Sequence, residues 1–316
     1  MENTTPMLRQ YLEIKKNYPG TILFFRLGDF YEMFNEDAIV GARELEITLT
    51  ARQKDSPNPL PMCGVPHHAA AGYIAKLVKK GYRVAICEQA EAAGKGVKLV
   101  KREVVRVITP GTAIDSQLTD SRESNYLSAV SASGDRIGIA FLEFSTGSFQ
   151  ATEFVGSNAW QKTVEQIESF APRELLFTPD LTSRVQSSFS SKNAQPLLAD
   201  AVRPSGSSGM TLTEVEESLD STGAGELLSA HFKTQDVAGF GFQDHPEATR
   251  AAAICLEYAK RTQKASVEHI SEISYYDSSD FMVLDAATLR NLDLVDARSD
   301  NNKHTLLKVI DETITS

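Results

Sequence analysis

Residues 21–34, TILFFRLGDFYEMF, form two short runs of β-branched and aromatic residues on either side of Gly28-Asp29. Such runs around a two-residue break predict a β-hairpin, with glycine supplying the positive φ of a tight turn. Asn35 then caps a helix that runs to about Leu45, and 46–52 (EITLTAR) predicts another strand before a Pro-rich loop from Ser56 to Pro66. From His68 to Lys80, the residues Ala70, Tyr73, Ile74, Leu77 and Val78 recur with helical spacing and mark one buried stripe. Lys79, Lys80 and Gly81 end that helix, the lysines facing the negative end of its dipole and the glycine suiting a left-handed position. Strands at 82–88 and 103–109 complete a small mixed α/β domain that closes at the turn Pro110-Gly111.

A polar, patternless linker, 113–124, precedes a second pattern. Runs at 125–131, 136–144 and 148–154, separated by Ser133-Gly134-Asp135 and Ser145-Thr146-Gly147, predict an antiparallel meander. Within it Ile137, Ile139 and Phe141 alternate toward one buried side. A helix at 160–170 and a strand at 174–177 make this domain, 125–245, α/β as well, and the Ser-rich stretches 187–192 and 204–209 predict mobile loops. After Pro246 the stripe Ala248, Ala251, Ala252, Cys255 and Ala259 predicts a helix of about 18 residues able to pack closely, the start of a helical region spanning 246–316. FMVLDAATLRNLDLV (281–295) and the final LLKVIDETITS predict further core elements, and because the chain stops amid them, truncation from a longer protein is expected.

Length and composition sharpen this picture. With 316 residues and 41% apolar content, the chain can bury two cores and part of a third, which excludes disorder and collagen. No apolar run approaches the roughly 20 residues of a membrane helix, and no basic start leads into an apolar segment, so neither a membrane nor secretion is expected. Cys63, Cys87 and Cys255 have no CxxC spacing, which points to a reducing compartment, the cytoplasm. The net charge of −10 argues against a nucleic-acid partner only when averaged. Residues 1–110 carry 16 Lys and Arg against 12 Asp and Glu, whereas the remainder carries 16 against 30. A basic first module on an acidic body implies one anion-binding face.

Catalytic constellations are sparse. Gly94-Lys95-Gly96 lacks the spacing and the Ser/Thr of a phosphate-binding loop, and Cys63, His67 and His68 lack a fourth metal ligand. Asp135 and Glu143 would lie roughly 26 Å apart along an extended strand, too far to share metals about 4 Å apart as a two-metal nuclease requires. The segment GDFYEMF is more informative. Alternation along a strand puts Phe30 and Glu32 on one face and Tyr31 on the other. An isolated pair of this kind is compatible with a core ring and a solvated acid. On a basic hairpin it also describes an apolar wedge beside a hydrogen-bond acceptor, the pairing minor-groove proteins use when they part base steps.

GDFYEMF, together with PMCGVPHHAAAGYIAKLVKKGYRVAICEQ (61–89), KREVVRVITPGT (101–112) and LDAATLRNLDL (284–294), resembles the bacterial MutS family of DNA mismatch-recognition ATPases over nearly the whole chain. Residues 91–99, EAAGKGVKL, depart from the family's usual Asp-Pro and Ala-Lys-Gly pattern. The resemblance implies a multi-domain α/β chain: a mismatch-recognition domain (1–112), a ribonuclease H-like connector (125–245) and the start of an α-helical core or lever domain (246–316). It places the family's stacking phenylalanine on Phe30 and its base-contacting glutamate on Glu32, with Arg52, Met62 and Arg102 near the DNA backbone or groove. Its implied partners are duplex DNA carrying mismatches or small loops and a MutL-type repair factor at the connector, in a bacterial cytoplasm near the nucleoid. The family's clamp, ATPase and dimerising regions fall outside these residues. No enzymatic activity and no ATP or magnesium are therefore expected of this chain, which should be monomeric and bind DNA weakly, whereas the intact family forms homodimers. The competing expectation is an acidic protein-interaction module whose DNA contact is incidental.

Overall fold

The computed structural model describes residues 5–52, 59–90, 100–113, 124–189, 209–216, 219–264, 267–277, 288, 291–293 and 305–310. The chain divides into two compact units, the first built mainly on Met1–Thr119 and the second mainly on Asp120–Ser190 and Thr213–Tyr258. Each contains a six-stranded sheet, and the protein is a mixed α/β chain.

In the first unit, β1 (Thr21–Leu27) and β2 (Phe30–Phe34) form the expected hairpin, with Gly28 at φ 58°. They sit at the centre of the order β3-β4-β2-β1-β5-β6, where β3 is Thr50–Arg52, β4 Leu60–Pro66, β5 Arg83–Gln89 and β6 Arg102–Ile108. β5 runs parallel to β1, and the other pairings are antiparallel. Two expectations change. The strand foreseen at 46–52 is confined to its last three residues, because Glu46 turns left-handed (φ 58°) to end the helix before it. Part of the foreseen Pro-rich loop is β4, an interior strand. Its prolines, Pro61 and Pro66, sit near its two ends, where a missing N–H disrupts the ladder least.

Helices cover both faces of this sheet. On one, α2 (Asn35–Leu45) and α3 (Ala70–Lys79) bury Ala38, Leu45, Ile74 and Leu77 against Phe24, Tyr31, Met33 and Val84. On the other, α1 (Pro6–Lys16), capped by Thr5, packs Tyr11 edge-on against Phe25 and Phe34. Asp37 of α2 fastens α1 to the sheet. Its carboxylate accepts from the Tyr11 hydroxyl at 2.7 Å, the Leu23 amide at 3.0 Å and the Lys15 ammonium at 2.6 Å. Burial, followed by the neighbouring Asp37 charge, pushes the Tyr11 hydroxyl's pKa well up, so the phenol stays a donor.

The second sheet has the order β11-β10-β7-β8-β9-β12. β7 (Tyr126–Ser133), β8 (Arg136–Glu143) and β9 (Ser148–Val155) are the expected meander. α4 (Ala159–Phe170) leads to β10 (Glu174–Phe177), parallel to β7, and α5 (Thr182–Phe189) precedes β11 (Thr211–Glu214); β12 is Ser274–Tyr275. β8 is buried on both faces rather than one. Phe170 stacks on Phe141 at 4.0 Å, while α7 (Pro246–Gln263) lies over Gly138 on the opposite side. A Cβ on Gly138 would come within 2.0 Å of the Glu247 backbone, so the small-residue helix does approach closely. The Glu153 carboxylate accepts from the Glu247 amide at 2.7 Å and the Arg136 guanidinium at 2.7 Å, closing the N-terminus of α7 onto β8 and β9. The boundary expected at 246 is thus the start of a helix packed on the second sheet. α6 (Ser221–Phe232) lies between β11 and α7 in the chain.

Two further expectations change. Ser187–Phe189 belong to α5 instead of a loop; the rest of that stretch, most of 204–209 and most of 281–295 lie outside the described residues. Leu306–Ile310 form a short helix whose Leu306, Leu307, Val309 and Ile310 are exposed rather than core.

Asp37→Ala removes the acceptor shared by a phenol, an amide and an ammonium and is expected to cost about 3 kcal/mol, read as an earlier first-unit transition in urea. Gly138→Ala must force α7 off the second sheet and is expected to cost about 3 kcal/mol or more, read as an earlier second-unit transition.

Candidate nucleic-acid interface

β2 alternates as its sequence requires. Tyr31 and Met33 point into the core beneath α2 and α3, and Phe30, Glu32 and Phe34 share the opposite face. α1 covers that face at the Phe34 end, where Tyr11 meets the phenyl ring. At the hairpin end Phe30 stays 47% exposed. Register fixes its surroundings: Phe30 lies between Leu27 of β1 and Pro66 of β4, Glu32 between Phe25 and Gly64, and Phe34 between the β4 residue Met62 and β1.

Glu32 is half-buried. Its Oε2 is shielded from solvent and accepts no hydrogen bond, and its nearest cation is the Arg52 guanidinium at 3.6 Å. Burial raises the Glu32 pKa, and Arg52 partly opposes that rise. The opposing effect is weak because Arg52 is 46% exposed and its ion pair is screened by water. Gly64 leaves the strand flank beside Glu32 bare: a Cβ there would sit 3.2 Å from the Tyr31 carbonyl and 3.5 Å from Glu32 Cγ.

The five residues singled out from sequence therefore divide. Phe30, Glu32, Arg52 and the half-buried Met62 lie on one face, with Met62 in register with both Phe34 and Thr50. Arg102 is different. It is 7% exposed, donates to the Arg26 carbonyl at 2.7 Å, Gln10 Oε1 at 3.1 Å and the Val100 carbonyl at 2.9 Å, and lies 4.9 Å from the Phe25 ring centroid. Its guanidinium braces the inside of the unit. Residues 91–99 lie outside the described residues.

Sequence reasoning passed over two features that shape this face. α1 was signalled by Thr5-Pro6 and by helically spaced Met7, Leu8, Tyr11 and Ile14. Gly64 sits in a segment whose prolines argued for a loop. Among the described residues no three His, Cys, Asp or Glu side chains lie close enough to hold a metal ion. Cys63 is buried with its thiol pushed up to about 12, chiefly by burial, and donates to the Ala38 carbonyl.

Comparison with known proteins finds that this chain is similar to a class of DNA mismatch repair proteins. The family model for MutS domain I matches residues 5–117, and that for MutS domain II matches 125–271. DNA mismatch repair protein MutS of Solibacter usitatus is 44% identical over 321 residues, covering 99% of this chain and 34% of its own length. The corresponding protein of Desulforamulus reducens is 45% identical over 314 residues, covering 99% and 34%, and that of Halothermothrix orenii is 42% identical over 318, covering 100% and 34%. The chain belongs to the MutS family. It spans about a third of the length of these curated relatives.

Because the Glu32 pKa is raised on folding, the unfolded chain ionises first as pH climbs through the ordinary carboxylate range, and stability falls there. Glu32→Gln should therefore melt higher than the parent at neutral pH, with the advantage vanishing below that range. Paired thermal melts across pH 3 to 8 (about five units, bracketing the carboxylate values) check the sign.

Proposed function

We propose that this chain recognises mispaired duplex DNA through its first unit, with Phe30 entering the minor groove to stack on a mispaired base and Glu32 hydrogen-bonding that base. The observation that carries the reading is an exposed phenyl ring and, on the same strand face, a half-buried carboxylate oxygen that accepts no hydrogen bond and has only the Arg52 ion pair at 3.6 Å. A single exposed apolar residue needs no explanation. The adjacent acid does, since its shielded oxygen has given up water for a solvent-screened ion pair and no hydrogen bond. Stacking on a base and accepting from its N–H recovers both losses at once.

Selectivity follows from the cost of entry. Parting a base step takes a few kcal/mol, and a mispaired base is already poorly stacked and paired, so the penalty there is smaller. Discrimination then arises without reading sequence. DNA phosphates raise the pKa of Glu32 further, favouring a protonated acid or contact with a base N–H. Arg52, largely exposed, is free to turn from Glu32 toward the backbone, and Met62 lies along the same face. Arg102 is left out of the contact set because it is buried, with Nε and Nη1 donating inside the unit.

For the second unit we infer a ribonuclease H-like connector: an antiparallel meander, a helix and a parallel fourth strand support that reading. Its acidic balance suits docking of a MutL-type factor, and 246–316 is read as leading into a helical lever region. ATP hydrolysis, magnesium binding and homodimer formation belong, on this reading, to parts of the family outside the two matched domains. The chain itself binds without catalysis, as a monomer in the cytoplasm.

Phe30→Ala is expected to bring the heteroduplex-to-homoduplex affinity ratio close to one, whereas Glu32→Gln lowers it without abolishing binding; fluorescence anisotropy at low salt measures both. An unchanged ratio in Phe30→Ala would sink the assignment. The logarithm of affinity should also fall steeply with the logarithm of salt concentration, by about 0.9 per phosphate neutralised. A flat response would favour an acidic protein-interaction module instead.

A further inference from the structure

Phe30 projects from the end of a two-residue turn, the part of a hairpin most free to move. Behind it, on the opposite face of the sheet, three polar side chains converge from three strands. The Tyr31 hydroxyl donates to Glu88 Oε1 of β5, reaching across β1. Arg26 of β1, in register with Tyr31, places Nη1 4.0 Å from the other Glu88 oxygen and its guanidinium carbon 5.7 Å from the Tyr31 ring centroid. The same arginine donates from Nε to the Gly28 carbonyl at 2.6 Å, holding the turn itself. On the β4 side the His67 amide donates to the Asp29 carbonyl at 2.8 Å, and the His67 ring lies 5.4 Å from that of Tyr31.

The geometry points to Tyr31, Glu88 and Arg26 as positioning residues that set the angle and rigidity of Phe30 without touching DNA. None of the three shares the face from which Phe30 projects. A wedge that is loose when free must be ordered on binding, and that cost falls on the stacked complex. A ring held within about half an ångström of its working position avoids it. Burial and the Glu88 contact raise the Tyr31 pKa, so the phenol keeps its proton and remains a donor to Glu88 across ordinary pH.

This inference rests on the wedge reading of Phe30, and the test separates the two. Tyr31→Phe deletes only the hydroxyl and keeps the ring against His67. It is expected to lower the heteroduplex-to-homoduplex ratio about fivefold, the scale of one ordinary net hydrogen bond. Glu88→Ala should do the same, and Glu88→Gln, which still accepts from the phenol, should restore most of the ratio. Loss of stability alone would weaken both duplexes alike and leave the ratio unmoved. Faster hydrogen exchange at the His67 amide in Tyr31→Phe reports the loosened turn without DNA. If Phe30→Ala lowers the ratio and Tyr31→Phe does not, or if Tyr31→Phe lowers it while hydrogen exchange at the His67 amide is unchanged, the clamp is overturned and the wedge stands. If Phe30→Ala changes nothing, both fall together.

Discussion

The first unit depends on the two-residue period of β2. Burying Tyr31 and Met33 beneath α2 and α3 removes any freedom in the register of the strand, because a slip of one position would drive Glu32 into an apolar core. Phe30 and Glu32 are therefore forced onto the other face, where Phe30 stays exposed. Tyr11 shields Phe34 and stops there. The exposed ring and the under-solvated acid are consequences of packing elsewhere in the sheet, which gives the surface its rigidity.

Both units use a buried carboxylate to dock a helix. Asp37 collects a phenol, an amide and an ammonium and so ties α1 and α2 to β1. Glu153 collects an arginine and the first amides of α7, satisfying helix-end donors that water cannot reach. Such anchors contribute geometry more than net energy, since desolvating a charge offsets much of what its partners return. In the first unit the geometry they maintain is the boundary between the covered and the bare part of the sheet. In the second, Gly138 and the small residues of α7 let a helix approach until backbone meets backbone.

The face around Phe30 is built to be incomplete. An aromatic ring half in water and a carboxylate oxygen with no donor are each tolerable alone, at a cost small against the stability of a domain. Together they leave an apolar ring beside an acceptor that lacks a hydrogen bond, which is what the proposed stacking on a mispaired base would cover. Arg52 pairs with the acid at 3.6 Å, and its own side chain is exposed.

Much of this was legible from the residues alone. The hairpin at Gly28-Asp29, the meander, the Ala-rich stripe of α7 and the shared face of Phe30 and Glu32 follow from periodicity and turn chemistry, which act over a few neighbouring residues. Tertiary structure decided what depends on distant neighbours. β4 forms although its prolines argue for a loop, because an open ladder lies on each side of it, and β8 is buried twice because helices arrive on both faces. Arg102 looked like a cation for phosphate and instead closes the interior, since acceptors on Gln10 and Arg26, far from it in the chain, converge on it beside the nearby Val100 carbonyl. Local pattern determines which way a side chain leaves its strand; what it then meets is settled by chain segments that no short window contains.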